Sequence, residues 1–336
     1  MNTYITDTEY HGEKCLEMSA GGYKSLFAYE LGGQMLRLYD EKNQIEVLRF
    51  DETVPMEKIR QAPVIWGWPT LYLPNRLDGG RLKTSDGEYA FPINETDLNN
   101  YIHGFLHLRR YRLVRHEIKN ECVTATAQYI YDENDEMFQY FPVSFKASLT
   151  YTLSSDGLEQ DFELTNLSEK ALPVGAASHT AIKCPFSKGG SEAALRLKIH
   201  ADKKILFGER FLNTGEIAKP DENAQRFIDG KINPLTEIID NQMFMGCDGE
   251  INSKPFYGVE ISDDKTGQKI CYQVGKEYKF WLVWNEWGNK GYCCPEPMSW
   301  MINAPNIELP AEKTGYAELK RGESWCGYQR IYTEII

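Results

Sequence analysis

With 336 residues, 42% of them hydrophobic, the chain can bury a large core, either as two ordinary domains or as one extended β-sandwich. A net charge of -12 and a pI near 5.1 leave no basic face to neutralise phosphates, which excludes nucleic acid as an expected partner and suits a small neutral ligand. The eight cysteines are scattered, include the adjacent Cys293 and Cys294 and form no CxxC pair, so they read as the reduced thiols of a cytoplasmic protein rather than a disulfide framework.

From the N-terminus, Met1 to Gly12 has no positively charged and then apolar stretch, and no run of about 18 apolar residues follows anywhere. Neither a standard secretion signal nor a membrane span is expected. Trp66, Trp68 and Tyr72 cluster around Pro69. His103 and His107 are four apart, a spacing that on a helix could hold one metal ion. Gly104 and Phe105 replace the Glu-containing pattern of such sites, and Pro92 and Asn99-Asn100 argue against a regular helix, so no metal is expected there.

Strand signals dominate the middle of the chain. Val123 to Tyr131 is rich in β-branched and aromatic residues. Beyond Val143, the apolar or small residues Phe145, Ala147, Leu149, Tyr151 and Leu153 alternate with Ser144, Lys146, Ser148, Thr150 and Thr152, the period of a half-buried strand. The run stops at Ser154-Ser155-Asp156-Gly157, and Leu158 to Leu164 resumes as the return strand of a hairpin. Asp-Gly pairs at 78–79, 86–87, 229–230 and 248–249 extend the picture to a meandering antiparallel protein, and Tyr278 to Asn285 reads as a further strand. Helical periodicity is weak throughout, and neither a linker nor a repeat of fixed period is visible. The expectation is therefore a mostly β chain, a single domain over residues 1–336, built as a large antiparallel β-sandwich.

Three polar residues stand out against this background. His179 sits in the small-residue segment Gly175-Ala176-Ala177-Ser178-His179-Thr180, ahead of Cys184-Pro185-Phe186. A lone histidine in such a place is usually a hydrogen-bonded structural residue, and a functional role is the less common reading. Glu296 lies between Pro295 and Pro297 amid Cys, Met and Trp; a carboxylate held among apolar neighbours has its proton affinity raised, which suits a general base, while a solvated loop glutamate is the plainer reading. Asp240, after Ile238-Ile239, is a hydroxyl acceptor or a turn residue. Trp281, Trp284, Trp287 and Trp300 surround the Glu296 region; sugars pack their C–H faces on such rings, although most aromatic side chains in so aromatic a chain belong to the core. No phosphate-cradling GxxxxGK[ST], no GxGxxG and no GxSxG are present.

Taken in order, Pro74-Asn75-Arg76-Leu77, Gly87-Glu88-Tyr89, Pro92 and His103-Gly104-Phe105, then Ser178 to Pro185, Ile239 to Phe244, Cys294-Pro295-Glu296-Pro297 and Gly322-Glu323-Ser324-Trp325, resemble the aldose 1-epimerase family, in its His-Gly-Phe branch. The resemblance runs from about Arg37 to the C-terminus. It implies a galactose mutarotase-like supersandwich with an open sugar cleft, in which Arg76 and His103 hold sugar hydroxyls, His179 is the general acid, Asp240 accepts a hydroxyl and Glu296 is the general base. The implied activity is interconversion of the α and β anomers of a free aldose by acid/base ring opening, with neither metal nor cofactor. Hexose-6-phosphate 1-epimerase, glycoside hydrolase with Asp240 and Glu296 as paired carboxylates, and non-catalytic sugar binding are the alternatives. Two departures from the branch stand out: Thr180 follows His179 where the branch has Pro, and His107 stands where its sugar-phosphate epimerases have arginine, with Arg109, Arg110 and Arg112 just beyond. The acidic chain and that missing arginine favour an unphosphorylated sugar.

Overall fold

The computed structural model describes residues 2–336. Two large antiparallel sheets face each other, and a five-stranded N-terminal sheet, built from Tyr4–Tyr10 to Ile45–Glu46, packs beside them. The back sheet runs, in spatial order, through Arg112–Lys119, Cys122–Tyr131, Phe145–Ser154, Gly157–Asn166, Ser324–Ile335, Gln268–Val274, Gly258–Asp263 and Leu195–Ile199. The front sheet runs through Asn213–Ala218, Ala201–Phe207, Gln242–Gly246, Phe280–Trp284, Tyr292–Met298, Ala177–Ser178 and Thr70–Leu71, with Ile182–Lys183 also paired to Tyr292–Met298. This is the mostly β antiparallel sandwich that the sequence implies.

The alternation in 145–154 works as its period demands. Phe145, Ala147, Leu149, Tyr151 and Leu153 are fully buried between the sheets. On the opposite face Thr150 and Thr152 meet Thr126 and Thr124 across the ladder, hydroxyl to hydroxyl at 2.9 and 3.2 Å. One buried cluster continues from Leu16 to Ile331 and includes Trp68, Trp281 and Trp300, so these three indoles are core.

Of the five Asp-Gly pairs, two end hairpins. Thr84-Ser85-Asp86-Gly87 and Ser154-Ser155-Asp156-Gly157 are two-residue turns in which the first residue pairs with the glycine, at φ +135° and +104°. The others correct the uniform reading. Asp78-Gly79 links two strands that pair with other partners. Asp229-Gly230 ends the helix Glu222–Ile228, where Gly230 at φ +69° lets Lys231 N donate to Arg226 O (2.8 Å) and Gly230 N to Phe227 O (3.4 Å), the bond pair of a left-handed helix stop. Asp248-Gly249 precedes a hairpin whose turn is made by Asn252 and Ser253. Three short α-helices, Met56–Gln61, Glu222–Ile228 and Ala311–Thr314, are too brief to print a 3.6-residue period on the sequence.

Candidate active site

The front sheet is interrupted where the candidate residues meet. Tyr292–Met298 pairs with Phe280–Trp284 along one side, Leu282 opposite Glu296. On its other side it pairs only with Ala177, through Met298, and with Ile182 and Lys183, through Cys293 and Tyr292. Pro295 and Pro297 have no N–H to donate, so an interior strand accepts them only where the ladder is open on the side their nitrogens face. That opening is filled by the three-residue crossing His179-Thr180-Ala181.

The crossing is tightly held. His179 N donates to Pro69 O (3.1 Å) and Ala181 N to Gly67 O (2.9 Å). The residues flanking His179 reach a buried polar network between the sheets: Ser178 Oγ accepts from Gln329 Nε2 (2.9 Å), and Thr180 Oγ1 bonds Tyr272 OH (2.9 Å). Gln329 also donates to Gln160 Oε1 and Tyr278 OH and accepts from Tyr272 OH. Thr180, which departs from the resemblance, is thus the second anchor of the loop that presents His179.

Across the opening His179 Nε2 lies 3.3 Å from Glu296 Oε1. The histidine is 4% exposed and the glutamate 1%, and this dryness sets their chemistry. Burial pushes the Glu296 carboxyl well above the ordinary carboxylate range, with the Arg76 charge pulling it back. Burial lowers His179 to about 4, against the raising effect of the backbone carbonyls of His179 and Val64. Glu296 Oε2 is buried without a hydrogen-bond partner, and Nδ1 of His179 and of His103 make no well-formed bond. Buried polar atoms are almost always satisfied, so the unpartnered Glu296 Oε2 and His103 Nδ1 mark a place where a ligand's polar groups find partners, while His179 Nδ1 lies on the side of the backbone carbonyls.

The other expected residues line this pair unequally. His103, at φ +68° just after the strand Asn100–Ile102, stands edge-on to His179 with ring centroids 5.3 Å apart. His107 lies in a separate 3-10 turn, Leu106–Leu108, so the two histidines share no helix; burial, and then the charge of a protonated His179, lower it to about 3. Arg76 is fixed by Glu95, which takes its Nε and Nη2, and by Asn75 and Asn241, whose Oδ1 atoms accept from Nη1 at 3.1 and 3.3 Å. Of its five N–H groups one on Nη2 stays available for a ligand hydroxyl. The Phe211 ring lies 5.2 Å from its guanidinium. Asp240 is half-buried, with Oδ1 accepting from Asn241 Nδ2 at 2.6 Å; it reaches Arg76 only through Asn241.

Trp284, one of the tryptophans noted around Glu296, has its ring 5.7 Å from His179, whereas Glu95 and Asn241 are not marked as site residues by the sequence. Glu95 is 19 residues from Arg76 with no local pattern to link them. Asn241 was legible only as the neighbour of Asp240. Among the described residues no cluster of three or more His, Cys, Asp or Glu has metal-binding geometry, all eight cysteines are free, and no helix is long and apolar enough to cross a membrane.

The sequence model of the family described as aldose 1-epimerase matches residues 14–332. The chain is similar to a galactose mutarotase-like protein from Clostridium acetobutylicum, at 32% identity and a TM-score of 0.96, covering 100% of this chain and 99% of that one. It shares its fold with a GalM/aldose epimerase homologue from C. elegans, at 15% identity and a TM-score of 0.72 over the whole of both chains. Over 114 residues it is 26% identical to LacX of Lactococcus lactis subsp. lactis, a match that spans 34% of this chain and 36% of LacX.

Proposed function

Since the chain belongs to the aldose 1-epimerase family, we propose that it acts as one unit interconverting the α and β anomers of a free aldose, with Glu296 as general base and His179 as general acid. The contact that carries this reading is His179 Nε2 to Glu296 Oε1, 3.3 Å in a dry site. The pair holds one proton near neutrality. Written as carboxylic acid plus imidazole or as carboxylate plus imidazolium, the count is the same, and only a transfer from Oε1 to Nε2 separates the two forms. Burial favours the first form and Arg76 draws the pair toward the second.

In the second form the chemistry follows. Glu296 takes the proton of the anomeric hydroxyl, the C1–O1 double bond forms, the C1–O5 bond breaks, and the His179 proton passes to O5. Rotation about C1–C2 and closure on the other carbonyl face, with the proton transfers reversed, give the other anomer. The free N–H of Arg76, His103 and Asp240 hold ring hydroxyls, and a pair preset in a buried site loses little reorganisation energy at the transition state.

Freshly dissolved α-glucose, α-galactose and related sugars, followed by polarimetry, are expected to equilibrate faster with the protein than in buffer. No acceleration across the panel rejects the activity. Glu296→Gln keeps shape but removes the acceptor, and is expected to lower kcat about 10²-fold or more, as is His179→Asn. His116→Asn, on the exposed strand Arg112–Lys119, serves as the control.

An unphosphorylated substrate fits the charges. Arg76 is neutralised by Glu95, Arg109 by Asp135 and Glu136, and Arg110 by Glu30. Free sugars are expected to bind at least as well as their 6-phosphates in calorimetry. A strong preference for the phosphate would point instead to Arg112, or to Arg49, which stacks between Trp66 and Tyr292 at 4.1 and 4.0 Å, neither of which has a carboxylate partner among the described residues.

A further inference from the structure

Away from the catalytic pair, the back sheet ends in a strand with a bare edge. Arg112–Lys119 pairs with Cys122–Tyr131 on one side and, among the described residues, with no strand on the other. Along the inner face of this sheet Val123, Ala125 and Ala127, and beyond them Leu149, Tyr151 and Leu153, are fully buried. Their neighbours on the edge strand are not. Ile118, opposite Val123, is 50% exposed, His116, opposite Ala125, is exposed, and the bulged Val114 is 39% exposed. The charges of the strand meet only each other, Arg115 Nη2 lying 2.6 Å from Glu117 Oε1.

The turn fixes which backbone groups this edge presents. Asn120 and Glu121, at φ +50° and +62°, make a two-residue hairpin closed by Lys119 and Cys122. The closing pair of such a hairpin exchanges both N–H···O bonds, and bonded and non-bonded pairs alternate from there. Glu117 and Arg115 therefore bond to Thr124 and Thr126, whereas the N–H and C=O of Ile118 and His116 point away from the sheet. No backbone bond outside the ladder uses them among the described residues.

A second copy of the same strand fits this edge in one register. Around a two-fold axis at His116, the two histidine backbones exchange both bonds, Ile118 comes opposite the partner's Val114, and Arg115 faces the partner's Glu117. That charge pair falls at a non-bonded position, where side chains approach most closely, and the axis makes it twice. Neighbouring registers lose this match. An axis at Arg115 or at Glu117 sets identical charges against each other, and one between Arg115 and His116 sets Arg112 against Lys119 and Val114 against Glu117. The edge strand of the N-terminal sheet, Tyr4–Tyr10, offers no such fit: its hairpin closes at Tyr10 and Glu13, so Asp7 and Glu9 are the outward residues, and each would meet its own copy.

We infer that the chain self-associates through Arg112–Lys119 as an antiparallel two-fold dimer, which joins the back sheets of two copies into one. Such an interface is self-complementary, as a two-fold contact must be. Arg112 and Lys119 at the strand ends guard the edge against unrelated strands, while Glu117 answers Arg115 only in the register centred on His116. The inference is independent of the anomer-interconverting reading.

Sedimentation equilibrium of the whole protein tests it. A strand edge of this length makes a small interface, so the wild type is expected to dimerise with a micromolar dissociation constant. Glu117→Lys turns two attractions into two repulsions and is expected to weaken the dimer about 10-fold, in protein whose fold is checked by thermal unfolding. Arg115→Glu combined with Glu117→Arg exchanges the charges and is expected to restore association. A wild type that stays monomeric at the highest concentration reached, or a dimer that Glu117→Lys leaves unchanged, rejects the interface. Failure of the charge exchange to restore a dimer lost in Glu117→Lys rejects the pairing of Arg115 with the partner's Glu117, and the proposal with it.

Discussion

Glu296 and His179 are displaced by burial in opposite directions, the carboxyl up and the imidazole down to about 4, and each displacement favours an uncharged group. On the proposed mechanism, the active state of the pair is the one with a single proton. Adding a second proton requires His179 to charge beside an already protonated Glu296, and removing the only one leaves a bare carboxylate in a dry site. The expected pH profile of kcat is therefore a broad bell. Its acid limb lies below the ordinary histidine value of about 6.5, and its alkaline limb lies well above the ordinary carboxylate value of about 4.3. A kcat profile with a single ordinary carboxylate step near pH 4 and no alkaline limb would show that the two groups act independently. Residue chemistry of this kind was partly legible in advance: Pro295 and Pro297 announced a rigid glutamate, but nothing local announced that Glu95 and Asn241 occupy most of Arg76.

At the scale of elements, the loop carrying His179 depends on a residue far away in sequence. Gln329, on the strand Ser324–Ile335, satisfies Ser178, Gln160, Tyr278 and Tyr272 at once. Gln329→Met keeps the volume and leaves those partners unpaired, at a cost of about 1–3 kcal/mol for each buried group not rescued by a neighbour. It is expected to lower both thermal stability and kcat. The conservative Gln329→Glu, which keeps an acceptor for Tyr272 while losing the donor to Ser178, separates the two effects through the kcat to KM split. A kcat unchanged in Gln329→Met, measured on folded protein, would limit this network to stability. Gly230→Ala tests a plain structural element instead. The helix stop needs φ +69° there, so alanine is expected to destabilise by about 1–2 kcal/mol, read as a lower Tm, with mutarotation unaffected. Retention of the wild-type Tm would mean that the stop tolerates a Cβ at that angle. The strands were readable because period-2 alternation is written locally, as in 145–154. The helix stop at Asp229-Gly230 was not, because the same dipeptide serves a hairpin or a helix end, and only the hydrogen bonds that follow distinguish them.

For the whole molecule, buried histidines tie stability to pH. His107, 6% exposed, is lowered by burial to about 3, and burial holds His103 well below its ordinary value. Their unfolded value is about 6.5. Between the two values the unfolded chain binds protons that the folded one refuses, so stability rises with pH across that window. The stability present above about pH 6.5 is lost progressively as pH falls toward 3, whereas the His179–Glu296 pair holds one proton folded or unfolded between about 4.3 and 6.5 and adds no slope there. Urea unfolding is expected to show this fall, and His107→Gln is expected to shallow it relative to wild type at matched pH. An identical pH slope in the variant would assign the acid sensitivity to other groups.

The sequence alone determined the antiparallel character of the chain, the inward face of its central strands and the ordered series of segments that brings His103, His179, Asp240 and Glu296 into one resemblance. These depend on patterns written over a few consecutive residues, alternation that follows the pleat and motifs whose order along the chain is itself information. The tertiary structure decided the rest. It placed Pro295 and Pro297 beside the opening that His179-Thr180-Ala181 fills, joined Arg76 to Glu95, tied Ser178 and Thr180 to Gln329 and Tyr272, and separated core Trp281 and Trp300 from displayed Trp287. Contacts between residues tens to hundreds of positions apart leave no local trace. The proton affinities of Glu296 and His179 belong to that class, because they are set by how much water the two packed sheets exclude.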